Sequence, residues 1–62
     1  MHETIQRLGE LIRLQRVYQW NGDTAQSHFL ELEIAGLRKE IEKKWRSLTE
    51  TEHEHYDKAI SP

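Results

Sequence analysis

The stretch FLELEIAGL, residues 29–37, decides the fold of this chain. Between Leu30 and Ile34, apolar and acidic residues alternate, which is typical of a half-buried β-strand. Over a longer window, the apolar residues instead fall into two rows with helical spacings of four, three and four. The first row is Leu30, Ile34, Leu37 and Ile41, continued by Trp45 or Leu48, and the second row is Ala25, Phe29, Leu32 and Gly36. The alternation arises where the rows overlap, so the stretch is predicted to be helical, with apolar residues on two faces.

Three helices are predicted within one domain of residues 1–62, and their expected bounds are about 4–19, 24–46 and 50–60. The first helix is expected to end near Gly22, which suits the left-handed end of a helix. Asp23 suits the N-cap of the second helix, and with Gln26 it resembles a capping box. Thr49 and Glu52 form a strict Thr-x-x-Glu capping box, which predicts the short third helix. A β-hairpin at the Asn-Gly pair is the alternative, but the flanking residues have helical periods.

The predicted fold is all-α, an antiparallel helical hairpin with a short third helix at its C-terminal end. The longer apolar row of the second helix closes the hairpin against the first. The intramolecular core is expected to comprise Ile5, Leu8, Leu11, Ile12, Tyr18, Leu30, Ile34, Leu37, Ile41, Trp45, Leu48 and Tyr56. A chain of 62 residues without cysteines has no disulfide support and hides only about 60% of its unfolded surface. A homodimer that forms a small helical bundle is therefore expected.

The second apolar row of the second helix is predicted to be a partner or dimer interface. Its members are Ala25, Phe29, Leu32 and Gly36. Gly36 costs a helix about 1 kcal/mol relative to Ala, which suggests that another backbone comes close there. The alternative is a plain three-helix unit in which the first or the third helix covers this row. A short third helix can hardly cover both the corner and the far half of the second helix, which favours a second copy or a foreign protein.

Four residues of the first helix complete the predicted interfaces. Gln15 and Gln19 project from its apolar arc, where unpaired amides are costly. They are expected either to pair across a dimer seam and set its register, or to lie where that seam opens to water. Val17 and Trp20 face away from the arc and form a candidate second binding patch. For Trp20, an exposed binding anchor and packing over the turn fit the sequence equally well.

The sequence offers little for catalysis or metal binding. It has no cysteine, no Gly-x-Ser-x-Gly and no phosphate-binding glycine loop, and so short a chain can hardly enclose a substrate pocket. In the tail HEHYD, only His53 and Asp57 have the i, i+4 spacing of helical metal ligands, and two ligands are too few for a structural site. His2 and His28 cannot be placed near them from sequence. The protein is predicted not to be an enzyme and to have no cofactor and no metal.

The charge pattern bears on nucleic acids and membranes. The net charge is -2 and the pI is about 6.0, which does not suit a general nucleic-acid binder. The basic segment Arg38 to Arg46 is expected to complement the helix dipole, while the acidic residues 50–57 fold back on it. With Arg13 and Arg16, this segment supports a nucleic-acid-binding alternative. No apolar run approaches the ~18 residues of a membrane span and no signal peptide is recognised, so a cytoplasmic protein without membrane contact is expected.

One stretch resembles a known family. The residues concerned are Trp45, Leu48, Thr49, Glu52 and Tyr56 in KKWRSLTETEHEHYDKAI, residues 43–60. At these spacings the stretch is similar to the corner between the second and third helices of HMG-box proteins, over less than a third of the chain. The resemblance implies a capped helix corner bracketed by aromatic side chains. HMG boxes bend DNA through a basic, aromatic N-terminal segment and an inserted wedge. Residues 1–30 contain no such pattern, so DNA binding is not carried over.

The surplus of apolar helix surface, together with the absence of catalytic motifs, predicts a small non-enzymatic protein-binding regulator. An inhibitor, an adaptor or a chaperone-like subunit fits this description. Phage and bacterial accessory regulators are similarly small, and the comparison with them is an analogy from size and class. Two alternatives stand beside it. One is a nucleic-acid-binding transcriptional regulator, and the other is a structural subunit of a larger assembly. The identity of the protein partner is not encoded in any motif.

Overall fold

The computed structural model describes residues 1–61 of the chain, and Pro62 lies outside the described residues. Its elements are α1 (His2–Trp20), α2 (Thr24–Lys43), a 3₁₀ turn (Trp45–Ser47) and α3 (Glu50–Ile60). Residues 1–61 contain three α-helices and no strand, so the prediction of an all-α chain is confirmed. The alternating stretch lies in the middle of α2.

A helix C-terminal motif and a helix N-cap form the turn between α1 and α2. Gly22 has a φ of 77°, and its amide donates to the Gln19 carbonyl oxygen over 3.1 Å. The Asp23 amide donates to the Tyr18 carbonyl oxygen over 2.9 Å, which completes a Schellman motif. The Asp23 carboxylate in turn accepts from the Gln26 amide over 3.1 Å and caps α2. The chain therefore reverses direction through contacts between near neighbours in sequence.

α2 ends at Lys43, rather than near residue 46. Beyond that point, the Lys44 and Ser47 amides donate to carbonyl oxygens three residues earlier, over 3.1 and 2.9 Å. Such bonds wind the backbone more tightly than an α-helix. Trp45, at the start of the 3₁₀ turn, is partly buried and packs against the core. The apolar row of α2 thus continues into the corner, although the α-helix does not.

The core lies where α1 packs against both α2 and α3. Its buried side chains are Ile5, Leu8, Leu11, Leu30, Ile34, Ile41 and Tyr56. The other residues that the sequence assigned to the core are partly buried against this cluster: Ile12, Tyr18, Leu37, Trp45 and Leu48. Leu8 and Ile41 are fully buried, and both lie in the half of the seam that is remote from the turn between α1 and α2.

α3 packs against α1 at Gly9, which is buried and has Ala59 beside it. A Cβ atom added there would lie 3.5 Å from the Cβ atom of Ala59, which is ordinary van der Waals contact. A side chain larger than a methyl group would therefore meet α3. Nothing in the sequence around Gly9 marks it as a contact position, because the neighbour that it faces is 50 residues away along the chain.

Aromatic rings bracket the corner before α3. The Trp45 ring stacks on His53 at 4.1 Å and meets Tyr56 edge-on at 5.1 Å. His53 Nε2 lies 2.9 Å from the Trp45 carbonyl oxygen, which can only accept, so this nitrogen carries a proton. The Tyr56 hydroxyl accepts from Arg38 Nε over 3.4 Å and donates to Glu42 Oε2 over 3.3 Å. Through Tyr56, α3 is thus attached to α2 as well as to α1.

The capping box at the start of α3 is complete. Thr49 Oγ1 accepts from the Glu52 amide over 3.1 Å, and Glu52 Oε1 accepts from the Thr49 amide over 3.0 Å. Glu52 also lies 3.3 Å from the Met1 amino group. The hydrogen bond from the Thr49 amide and the contact with this amino group both lower the pKa of the Glu52 carboxyl. The box predicted from sequence is therefore present and holds a charged carboxylate.

Thr49→Ala is expected to destabilise the fold by about 1 kcal/mol, because it removes the N-cap of α3. In a chain of this size, that lowers the melting temperature by roughly 4–8 °C. Thermal unfolding followed by circular dichroism measures the shift. Thr51→Ala makes the same chemical change at an exposed position in the first turn of α3 and serves as the control. Equal melting temperatures for the two variants would contradict the role of the cap.

Glu52→Gln is expected to cost stability near neutral pH and to cost progressively less in acid. A carboxyl with a lowered folded pKa stabilises the fold above its unfolded pKa of about 4.3, and this contribution is lost as pH falls through the folded pKa. Urea unfolding midpoints of wild type and variant should therefore converge toward about pH 2. The matched control is Glu54→Gln, an exposed carboxylate on the same helix. A gap that stays constant with pH would show that the charge of Glu52 is not involved.

Candidate protein-binding surfaces

The second apolar row of α2 lies on the side of the helix turned away from α1. We call Ala25, Phe29, Leu32 and Gly36 the outer face. Phe29 is 65% exposed and Leu32 is 59% exposed. Gly36 is also exposed, and a Cβ atom added there would meet nothing within 4 Å in the described residues. The close backbone neighbour expected at Gly36 is therefore not supplied by the chain itself.

Neither of the other helices hides the outer face. α1 packs against the opposite side of α2, where Leu30 and Ile34 are buried. α3 packs mainly against α1 and reaches α2 through the hydrogen bonds of Tyr56. The plain three-helix unit that was the alternative, with α1 or α3 covering this row, is therefore wrong for the part of the chain that the structure describes.

Gln15 has a partner within the chain. Its Nε2 donates to the Ser27 carbonyl oxygen over 3.3 Å, which links α1 to the first turn of α2. The amide is thus satisfied without a dimer, and the expectation that Gln15 pairs across a dimer seam needs correction. Gln19 is exposed beside the turn, on α1 and away from the outer face. Ser27 itself is buried and starts the seam three residues before Leu30, a position that the apolar pattern missed because Ser is polar.

A second apolar surface lies at the hairpin end of α1. We call Val17 and Trp20 the tip patch. Trp20 is 91% exposed and Val17 is 53% exposed, and their i, i+3 spacing makes them neighbours on the helix surface. The Trp20 ring therefore does not pack over the turn. Leu14, one further step of three along α1, is also exposed and extends this surface beyond the residues that the sequence suggested.

The basic segment Arg38 to Arg46 stays largely in solvent. Among residues 1–61, no ion pair joins it to the acidic residues of α3, so the expected fold-back of those residues is not found. Glu52 contacts the Met1 amino group instead. Arg38 of this segment donates a hydrogen bond to the Tyr56 hydroxyl of α3, and this bond raises the pKa of the Arg38 guanidinium.

Sites of other kinds are not apparent in the described part of the chain. Over residues 1–61, no group of three or more His, Cys, Asp or Glu side chains is placed to hold a metal ion. The His2 and His55 rings lie 5.2 Å apart at an open groove of about 250 Å³ between α1 and α3. His53 is engaged with Trp45, so the spacing that pointed to His53 and Asp57 does not create a free ligand pair. None of the helices in this range is long and apolar enough to cross a membrane.

Comparison with known proteins adds no relative. No family model, no curated protein and no solved structure matches this chain. Function is therefore inferred from the outer face and the tip patch.

The two helical glycines should respond differently to the same substitution. Gly9→Leu places a large side chain against Ala59 and is expected to displace α3, with a loss of helix content and cooperativity. Gly36→Leu fills open space and replaces a poor helix former, so the single chain should keep its fold or gain about 1 kcal/mol. Circular dichroism and urea unfolding at low protein concentration compare them. Equal losses in both variants would mean that α3 does not lie against Gly9.

Proposed function

We propose that this chain is a small non-enzymatic regulator that binds another protein in the cytoplasm through its exposed apolar helix surfaces. An inhibitor, an adaptor or a chaperone-like subunit would each work in this way. The observation that carries the proposal is Trp20, which is 91% exposed at the end of the hairpin and has Val17 beside it. Burying large apolar side chains of this kind contributes about 1.5–3 kcal/mol each, so a partner that covers the tip patch gains binding energy directly.

The surroundings of the tip patch define the chemistry of its partner. Arg13 and Arg16 lie four residues before Val17 and Trp20 respectively, and both are exposed. Arg16 Nη2 donates to the Ser61 carbonyl oxygen over 3.4 Å, which ties this guanidinium to the C-terminal end of α3. Tryptophan and arginine are among the residues enriched at energetically important interface positions. The complementary surface is therefore an apolar pocket rimmed by carboxylates.

The outer face of α2 is assigned a separate role. We propose that it joins two copies of the chain into a small helical bundle. A homodimer needs one self-complementary apolar surface, and this chain has two apolar surfaces on different helices. With the outer face taken by the second copy, the tip patch remains free for a different protein. Assembly and target binding are then served by different residues.

Trp20→Ala and Val17→Asp are expected to abolish capture of the target by the tagged protein in the cells that produce it. With the purified target, calorimetry should give at least a tenfold loss of affinity for Trp20→Ala, about 1.4 kcal/mol, because the anchor of the patch is gone. Gln19→Ala changes an exposed neighbour on the same helix and is the control. A target bound equally well by Trp20→Ala and wild type would refute the proposal.

Two other outcomes would replace the proposal by its alternatives. Retention on DNA that falls steeply with salt, and that is lost when Lys39, Lys43 and Lys44 are neutralised, would indicate a nucleic-acid-binding regulator using the basic segment. An isolated chain that is largely unfolded until another protein is supplied would indicate a structural subunit. The proposed regulator should instead be folded alone and pass through a DNA column at low salt.

A further inference from the structure

We infer that two copies of the chain pair through the outer face in one specific arrangement, with the two α2 helices antiparallel about a two-fold axis. Phe29 of each copy then packs on Leu32 of the second copy, and Ala25 packs on its Gly36. This inference rests on the proposed assignment of the outer face to a second copy. It adds the direction and register of the seam, which that assignment leaves open.

The spacing and the side-chain sizes of the outer face are symmetric along the helix. Its spacings are four, three and four, with small residues at the two ends and large residues in the middle. When one helix is reversed, position 25 faces 36 and position 29 faces 32, so every layer of the seam is formed by two members of the row. A two-fold interface requires this self-complementarity, since the same patch is used by both subunits. A foreign partner would place no such condition on the row.

The distribution of side-chain size explains Gly36. In the antiparallel register, the two outer layers each combine Gly36 with Ala25, so the backbones can come close there. Glycine weakens a helix, yet nothing in the described residues lies within 4 Å of a Cβ atom added at this position. The two inner layers are equal, each with one phenylalanine and one leucine. Parallel pairing would instead set Phe29 on Phe29 and Leu32 on Leu32, which makes layers of unequal size.

Charges at the ends of the seam favour the antiparallel direction. Lys39 is exposed three residues beyond Gly36 and extends the row toward the basic end of α2. In the antiparallel register, Lys39 faces the turn of the second copy, where the Asp23 carboxylate carries negative charge. Parallel pairing would bring the two basic segments together, and like charges at an interface oppose association.

The flanks of the seam are also complementary. In an antiparallel helix pair, positions on the same flank face each other. On one flank, Gln26 of each copy faces Glu33 of the second copy, so the two-fold axis produces this pair twice. Both residues are exposed in the single chain. The glutamine amide can donate to the carboxylate. On the other flank, His28 faces Ala35, so no two carboxylates are placed opposite each other.

The seam is short. From Ala25 to Gly36 it extends roughly 16 Å along α2, about three helical turns. Interfaces of this extent lie at the small end of specific protein contacts, below about 1,200 Å² in total. The dimer should therefore form and dissociate with concentration rather than persist as an obligate unit.

Sedimentation or light scattering over a concentration series tests whether the outer face pairs. Wild type should pass from a species of 7.5 kDa to one of twice that mass as concentration rises. Leu32→Asp and Gly36→Leu should stay monomeric with the helix content of the dilute wild type. Val17→Asp, the same kind of change on the tip patch, should dimerise like wild type. A wild type that stays monomeric at all concentrations overturns the inference.

Thiol cross-linking tests the direction, because the chain has no cysteine of its own. Ala25→Cys and Gly36→Cys variants are mixed and oxidised. The antiparallel register predicts that a disulfide joins one variant to the other, with little linkage between like variants, whose thiols would lie about 16 Å apart. Linkage between like variants instead, with no mixed product, would overturn the register and indicate parallel pairing.

The outcomes separate this inference from the proposed function. Target binding lost in Val17→Asp together with a monomeric wild type would leave the regulator standing and remove the dimer. A dimer that cross-links as expected, together with a target whose binding is unaffected by changes in the tip patch, would support the dimer and remove the proposed role of the tip patch. If the target is lost in Leu32→Asp and the wild type is a monomer, the outer face binds a foreign protein and the inference fails.

Discussion

The seam between α1 and α2 is the contact on which the other features depend. It uses one side of each helix, and it leaves Leu8 and Ile41 with no solvent contact. The buried apolar side chains of residues 1–61 form one cluster, which lies along this seam and beneath α3. Since α2 is apolar on two sides, closing the seam necessarily turns its other side toward solvent. The exposed Phe29 and Leu32 follow from the way the core is built.

α3 determines which surfaces stay open. It lies against α1 because Gly9 lets Ala59 come close, and it is tied to α2 by the hydroxyl of Tyr56 between Arg38 and Glu42. These contacts place it beside the hairpin, away from Phe29. The short third helix therefore completes the core of the single chain and leaves both apolar surfaces of the molecule available for association.

The sequence predicts the features that depend on neighbours along the chain. The end of α1 just before Gly22 and the start of α3 just after Thr49 depend on hydrogen bonds between residues three to five positions apart, which particular residue types encode. The features it missed depend on distant contacts. The 3₁₀ turn at Trp45, the hydrogen bond from Gln15 to Ser27 and the close approach at Gly9 each require knowing where another helix lies. The candidate surfaces fall between these cases. Helical periodicity identifies the residues of the outer face, but only the packing of the three helices shows that they stay uncovered. For Trp20, periodicity did not decide between an exposed position and packing over the turn.

The two tryptophans lie in contrasting environments. Trp45 is partly buried at the corner, with its ring stacked on His53 at 4.1 Å, while Trp20 is almost completely surrounded by water. An indole in water emits at longer wavelength than one packed among side chains. The protein therefore carries two intrinsic optical reporters, one that senses the integrity of the helix corner and one that senses whether the end of the hairpin is covered. Unfolding and association can be followed separately in the same unlabelled molecule.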